Sequence, residues 1–162
     1  PTRLSELDMM LGVSLNTVYS TRQAIEEYVL SADLLIGAVL IPGAGAPKLV
    51  NEELVKGMKR GSVIVDIAID QGGCVATSKP TAHDNPTFIA HDVVHYCVTN
   101  MPAAVSRTSA FALNNSTLPF VIKLADKGVE EALESDANLA NGLNIRAGDI
   151  VHEAVKEALE IS

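Results

Sequence analysis

Apolar and polar positions alternate along this chain with two different periods, and the change of period marks out the elements. From Arg3 to Leu11 (RLSELDMML), Leu4, Leu7 and Leu11 share one helical face, and Gly12 supplies a stop. SLNTVYS, Ser14 to Ser20, reads as a short strand, and TRQAIEEYVLSA, Thr21 to Ala32, as an amphipathic helix. DLLIGAVLI, Asp33 to Ile41, is a nearly continuous apolar run of strand length, and the Pro- and Gly-rich PGAGAPKLV that follows is a loop. NEELVKGMKRG, Asn51 to Gly61, opens on a capping residue and ends at a glycine, as a short helix does. SVIVDIAI is a second buried strand. A loop rich in Pro, Thr, His and Asp leads to a third, DVVHYCVT, Asp92 to Thr99.

Strands and helices in alternation predict an α/β fold: a Rossmann-like, doubly wound parallel sheet with helices on both faces. Such a domain begins on a strand and its first turn, whereas this chain opens on a helix, so the sheet is expected to be incomplete at its N-terminal end. After Met101-Pro102 the pattern becomes helical. Ala103 to Asp126 predicts a long helix or a broken pair ended by Gly128, and a terminal amphipathic helix runs from about Val151 to Glu160. There is no internal repeat or low-complexity tract.

Composition sharpens this picture. With 48% apolar residues, few aromatics and no Trp in 162 residues, the core must be built from Val, Ile, Leu and Ala, as in buried parallel strands. A formal charge of −8 argues against a nucleic acid or an anionic membrane as partner. No apolar run reaches the roughly 18 residues that span a bilayer, and no signal-peptide pattern is present. Cys74 and Cys97 lack CxxC spacing and read as reduced thiols of a cytosolic protein.

The sharpest chemical signal is VDIAIDQGG, Val65 to Gly73, where an apolar run breaks into Asp-Gln-Gly-Gly. A carboxylate at the carboxyl end of a parallel strand points into the crevice where α/β sheets bind ligands, and Gly72-Gly73 would admit a close approach. Pattern alone leaves Asp70 equally readable as a turn-forming residue. Gly43-x-Gly45 lacks the third small residue of a dinucleotide fingerprint, because Lys48 stands there after Pro47. That loop reads as a turn, although the backbone at Ala38-Val39-Leu40 can line a cofactor by contact. His83, His91 and His95 lie near Asp84 and Asp92, but His91 and His95 on a strand would stand ~13 Å apart, too far to share an ion. No metal site is expected. Asn100-Met101-Pro102 closes a strand at the same crevice edge, with an amide to offer a ligand carbonyl and a thioether to pack on a flat ring. It reads equally as a strand terminator.

Taken together, DLLIGAVLIPGAGAPKLV, GSVIVDIAIDQGG, HDNPTF and VVHYCVTNMPAAVSRTSAFALNNSTLP resemble alanine dehydrogenase, most weakly in the first thirty residues. The resemblance implies that 1–101 is the C-terminal portion of an NAD-binding Rossmann domain and 102–162 a helical segment returning to the substrate domain. It implies NAD as cofactor, L-alanine, pyruvate and ammonia as reactants, a cytoplasmic homohexamer, and reversible oxidative deamination by a longer enzyme. The chain alone is then expected to be inactive, since the glycine fingerprint and the substrate-handling Lys and His of the family lie upstream. Residue by residue, Asp70 matches the family's catalytic-site Asp beside the nicotinamide. Asn100, Met101 and Val98 match the nicotinamide pocket, and Ile67 the nicotinamide ribose side. Val39 and Leu40 match residues packing on the cofactor, Ser20 a position near the adenine, and Arg3 a basic position near the adenosine ribose. Gly45 replaces the usual Lys of PGAKAP, and Ser106 the usual Pro of PRTS.

Two other readings accompany this one. The NAD-binding subunit of nicotinamide nucleotide transhydrogenase resembles the same enzyme throughout, but its counterpart of IDQGG typically lacks the Asp. A catalytically inactive fragment serving as an interaction module is the reading from a different class.

Overall fold

Three parallel strands and one antiparallel edge strand form the central sheet of the computed structural model, which describes residues 2–160. β1 (Leu34–Gly37), β2 (Val63–Asp66), β3 (Thr87–Ala90) and β4 (Val93–Tyr96) lie in the order β1-β2-β4-β3. With α1 (Thr2–Leu11), α2 (Arg22–Ser31) and α3 (Glu52–Gly57), they make the expected Rossmann-like α/β arrangement. The chain divides into two compact units, Pro1–Val39 with Pro47–Thr99, and Leu40–Ala46 with Asn100–Ser162.

In the first unit local chemistry sets the helix ends. Thr21 Oγ1 accepts from the Ala24 amide at 3.1 Å and Asn51 Oδ1 from the Leu54 amide at 2.9 Å, so α2 and α3 both start on side-chain caps. Glu52 and Glu53 in the first turn of α3 and Lys56 in its last complement the helix dipole. The core is aliphatic: Val55, Ile64, Val75 and Val93 are fully buried.

The sheet departs from the sequence reading in three places. Ser14 to Ser20 is not a strand. Gly12–Ser14 is a single 3₁₀ turn, and residues 15–20 pair with nothing in the sheet. Apolar-polar alternation there lacks a neighbour to supply the hydrogen-bond ladder, and Leu15, Val18 and Tyr19 stay exposed. The Pro/Thr/His/Asp loop contains a strand: β3 pairs antiparallel with β4, Ala90 opposite Val93, through a two-residue turn at His91 (φ 53°) and Asp92 (φ 63°). Both turn residues take left-handed backbone, as in a type I′ hairpin, without the glycine that usually announces one. The sheet is therefore mixed, not purely parallel. Finally, β2 stops at Asp66, and Ile67–Gln71 turns into a 3₁₀ helix ended by Gly72 at φ 93°.

In the second unit a 3₁₀ turn at Met101–Val105 leads into α4 (Ser106–Ser135), which Gly128 (φ 74°, ψ 169°) breaks into two helical segments. The predicted long helix thus continues past Asp126, with Gly128 as its kink. α5 (Ala137–Ala140) follows, its first amides at Asn138 and Leu139 capped by the Asp136 carboxylate, which also pairs with Lys123. A two-stranded ribbon, β5 (Ile145–Arg146) with β6 (Asp149–Ile150), precedes α6 (Glu153–Glu160). The ribbon escapes sequence reading because each strand is two residues long.

Candidate active site

The register of the parallel strands decides which residues gather at one edge. Gly37 pairs with Asp66 and Val65 with Tyr96, so β1, β2 and β4 end together. The segments leaving that edge are Ala38–Val39, the 3₁₀ turn Ile67–Gln71, and Cys97–Thr99. Four of the residues singled out from sequence, Val39, Ile67, Asp70 and Val98, therefore sit just beyond the carboxyl ends of neighbouring strands. Asp70 is exposed within the turn and Ile67 is 49% exposed beside it, whereas Val98 is only 2% exposed and belongs to the core.

The carboxylate that actually ends β2 is Asp66, four residues before Asp70. It is fully buried, on the same face of the strand as Ile64. Its Oδ2 accepts the amide hydrogens of Cys74 at 3.0 Å and Val75 at 3.1 Å, and its Oδ1 accepts from the Cys74 thiol at 3.6 Å. Burial, and then the neighbouring Asp66 charge, push the Cys74 thiol up to about 11, so it stays protonated and able to donate. Lys48 reaches the same loop from elsewhere in the chain, its Nζ donating to the carbonyls of Gly72 at 2.5 Å and Val75 at 3.4 Å.

This changes the role of the glycine pair. A Cβ on Gly73 would lie 2.7 Å from Asp66 Oδ2, while one on Gly72 would meet nothing within 4 Å. The space at Gly73 is taken by a buried carboxylate of the same loop, not reserved for a ligand. Sequence reasoning passed over Asp66, although the strand's period of two, counted from Ile64, already puts it on the buried face. It noted Lys48 only as a departure from the glycine fingerprint.

Beside these strand ends lie two concavities of the first unit. An apolar one of about 240 Å³ is lined by Gly37, Ala38, Val39, Ile25, Tyr28 and Leu49. A more polar one of about 330 Å³ is lined by Ser20, Arg22, Lys48 and Asn51, and shares Ile25 and Leu49 with the first. The structure so brings Ser20 and Val39 to adjoining clefts. Arg3 stands apart on α1, where it pairs with Glu6 at 3.0 Å on a helix with no buried residue. Leu40, Asn100 and Met101 belong to the second unit. There the Asn100 carbonyl accepts from the Ala103 amide at 3.1 Å, and Asn100 lines an open groove with Pro102, Ser106, Ser109 and Leu113. Among the described residues no group of three His, Cys, Asp or Glu side chains is placed to hold a metal ion. No described helix is long and apolar enough to cross a membrane.

Comparison with known proteins agrees with this architecture. The alanine dehydrogenase of Halomonas elongata is 56% identical over 156 residues, covering 96% of this chain and 42% of that protein. A solved L-alanine dehydrogenase superposes with a TM-score of 0.81 at 53% identity, covering 99% of this chain and 44% of the other. A transhydrogenase from Sinorhizobium meliloti, 22% identical, superposes at 0.65 over 95% of this chain and 41% of its own, a likeness of fold alone. The chain thus spans less than half the length of the relatives it matches. Residues 1–153 match the family described as "Alanine dehydrogenase/PNT, C-terminal domain", and the chain belongs to it.

Proposed function

We propose that this chain serves an NAD-dependent enzyme that oxidatively deaminates L-alanine to pyruvate and ammonia, reversibly, as part of a longer polypeptide. The observation that carries the reading is an exposed carboxylate, Asp70, in the turn just beyond a parallel strand, in a chain of this family. Its fit to the cofactor rests on the two adjoining clefts. One is apolar enough for a flat ring, and the other offers Ser20 and Asn51 as partners for hydroxyl or phosphate oxygens. NAD, when bound, supplies the hydride acceptor.

The protein's own part is positioning and proton traffic. Asp70 takes the proton of the water that attacks the imine of the oxidised amino acid and returns it as ammonia leaves. By family resemblance Ile67 is assigned to the nicotinamide ribose side, and Asn100, Met101 and Val98 to the nicotinamide. Val39 and Leu40 pack on the cofactor, Ser20 approaches the adenine and Arg3 the adenosine ribose. The boundary at 101/102 separates the nucleotide-binding part from the return to the substrate domain. Buried, protonated thiols support a cytoplasmic setting. Exposed Phe111, Leu113, Val121 and Ile122 along α4 support assembly into a homo-oligomer, a hexamer by family resemblance. L-Alanine catabolism is the corresponding role, with no nucleic-acid or membrane partner.

The test is NADH absorbance on the native protein supplied with L-alanine and NAD. Alanine-dependent NADH formation is expected, and its absence with NAD still bound would favour the transhydrogenase reading.

A further inference from the structure

We propose that Asp66 is a positioning residue whose buried carboxylate ties the neck of the loop carrying Asp70 and so fixes where Asp70 stands. The proposal rests on the reading of Asp70 given above. Ten residues, Asp66 to Val75, leave the strand end and return to it, and their closure is specific. At the tip, the Gly72 amide donates to the Ile69 carbonyl at 3.1 Å and the Gly73 amide to the Ala68 carbonyl at 2.9 Å. At the neck, Asp66 Oδ2 gathers the amides of Cys74 and Val75. These neck bonds connect the returning limb of the loop to the strand itself.

Two glycines are shaped around this clamp. A Cβ at Gly73 would lie 2.7 Å from Oδ2, and one at Gly37, on the adjacent strand, 2.4 Å from the Cys74 sulfur and 3.4 Å from Oδ1. Lys48 braces the same neck by taking the carbonyls of Gly72 and Val75. A buried carboxylate acceptor makes short, strong bonds to backbone amides. An amide in its place would turn one oxygen into a donor facing donors. Asp70 itself is exposed, and none of the hydrogen bonds that close the neck uses its carboxylate, while its turn neighbours Ala68 and Ile69 pack in the core. Its position is inherited from the neck, and a displacement of ~1 Å at a reacting group can cost ~100-fold in rate.

The test uses the native enzyme with Asp66→Asn, Asp70→Asn and the double substitution, assayed with L-alanine and NAD. Asp66→Asn is expected to lower kcat by ~10- to ~100-fold while the KM for NAD stays within about threefold. The double variant should be no slower than Asp70→Asn alone, because Asp66 acts through Asp70. Deuterium uptake in the 67–75 segment should rise in Asp66→Asn. A kcat within about twofold of the parent, or losses that multiply in the double variant, would overturn the proposal. If Asp70→Asn keeps its turnover, the reading of Asp70 falls by itself. The clamp is then judged by exchange, and unchanged uptake in Asp66→Asn overturns it. Should Asp66→Asn not fold, Lys48→Met releases the neck from an exposed position. It is then expected to lower kcat by ~3- to ~10-fold without adding to Asp70→Asn, and an unchanged kcat refutes the clamp.

Discussion

His95 Nε2 and Thr77 Oγ1 meet at 2.8 Å, while the other ring nitrogen of His95 lies 3.0 Å from the Val93 carbonyl. A carbonyl only accepts, so Nδ1 carries the proton and Nε2 accepts from the threonine hydroxyl. The ring is fully buried and stacks on Phe88 at 4.8 Å between centroids. It is a satisfied core histidine, held neutral.

Stability should therefore fall in mild acid. Burial holds the His95 pKa below its ordinary value. A base whose folded pKa is depressed adds stability that is fully present above its unfolded value, about 6.5. That contribution is lost as the pH falls from there through the folded value. Urea midpoints measured from about pH 7.5 down to about pH 5.5 should decline, and His95→Asn, which cannot titrate, should flatten the slope. An equal slope in both proteins would assign the acid sensitivity to other groups.

The two adjacent glycines should respond very differently to alanine. Gly72→Ala meets open space, so only its left-handed backbone opposes the change, at a cost of ~1 kcal/mol. Gly73→Ala carries the same backbone cost and drives a methyl to 2.7 Å from the Asp66 carboxylate. It should cost ~3 kcal/mol or more, through strain and a damaged buried hydrogen-bond set. Chemical denaturation of the two variants decides, and similar losses would mean the neck yields easily.

Both thiols should be inert until the protein opens. Cys74 and Cys97 are buried, and burial is the leading cause that raises the pKa of each. Alkylation by iodoacetamide should track the denaturant dependence of unfolding. Fast labelling of Cys74 in the folded protein would show that its loop opens locally.

How much of this was legible in the sequence depends on whether the deciding force was local. The apolar runs of β1, β2 and β4 and the caps at Thr21 and Asn51 announce themselves, because burial and capping act within a few residues. Ser14 to Ser20 misled, since a strand also needs a partner. β3 was hidden by a His-Asp turn that pays its left-handed backbone cost without glycine. The strand-end position was assigned to Asp70, four residues too late, because Ile67, Ala68 and Ile69 continue the apolar pattern through a 3₁₀ turn. Periodicity does not show where a ladder loses its neighbour. The clamp at Asp66 and the brace from Lys48 join residues eight and more positions apart, so only the folded chain displays them.

Asp70 should matter to turnover far more than to cofactor affinity. It is exposed in a turn beyond β2, and none of the hydrogen bonds that close the loop's neck uses its carboxylate. Asp70→Asn keeps size and polarity but cannot take a proton, so the fold and the clefts that would take NAD should survive. In the native enzyme kcat should drop by ~100-fold or more, with NAD affinity by fluorescence titration within about threefold. The substitution should leave the urea midpoint nearly unchanged, which separates a chemical role from a structural one. Turnover within a few-fold of the parent would remove Asp70 from the reaction and leave it as the turn-forming residue that its position also allows.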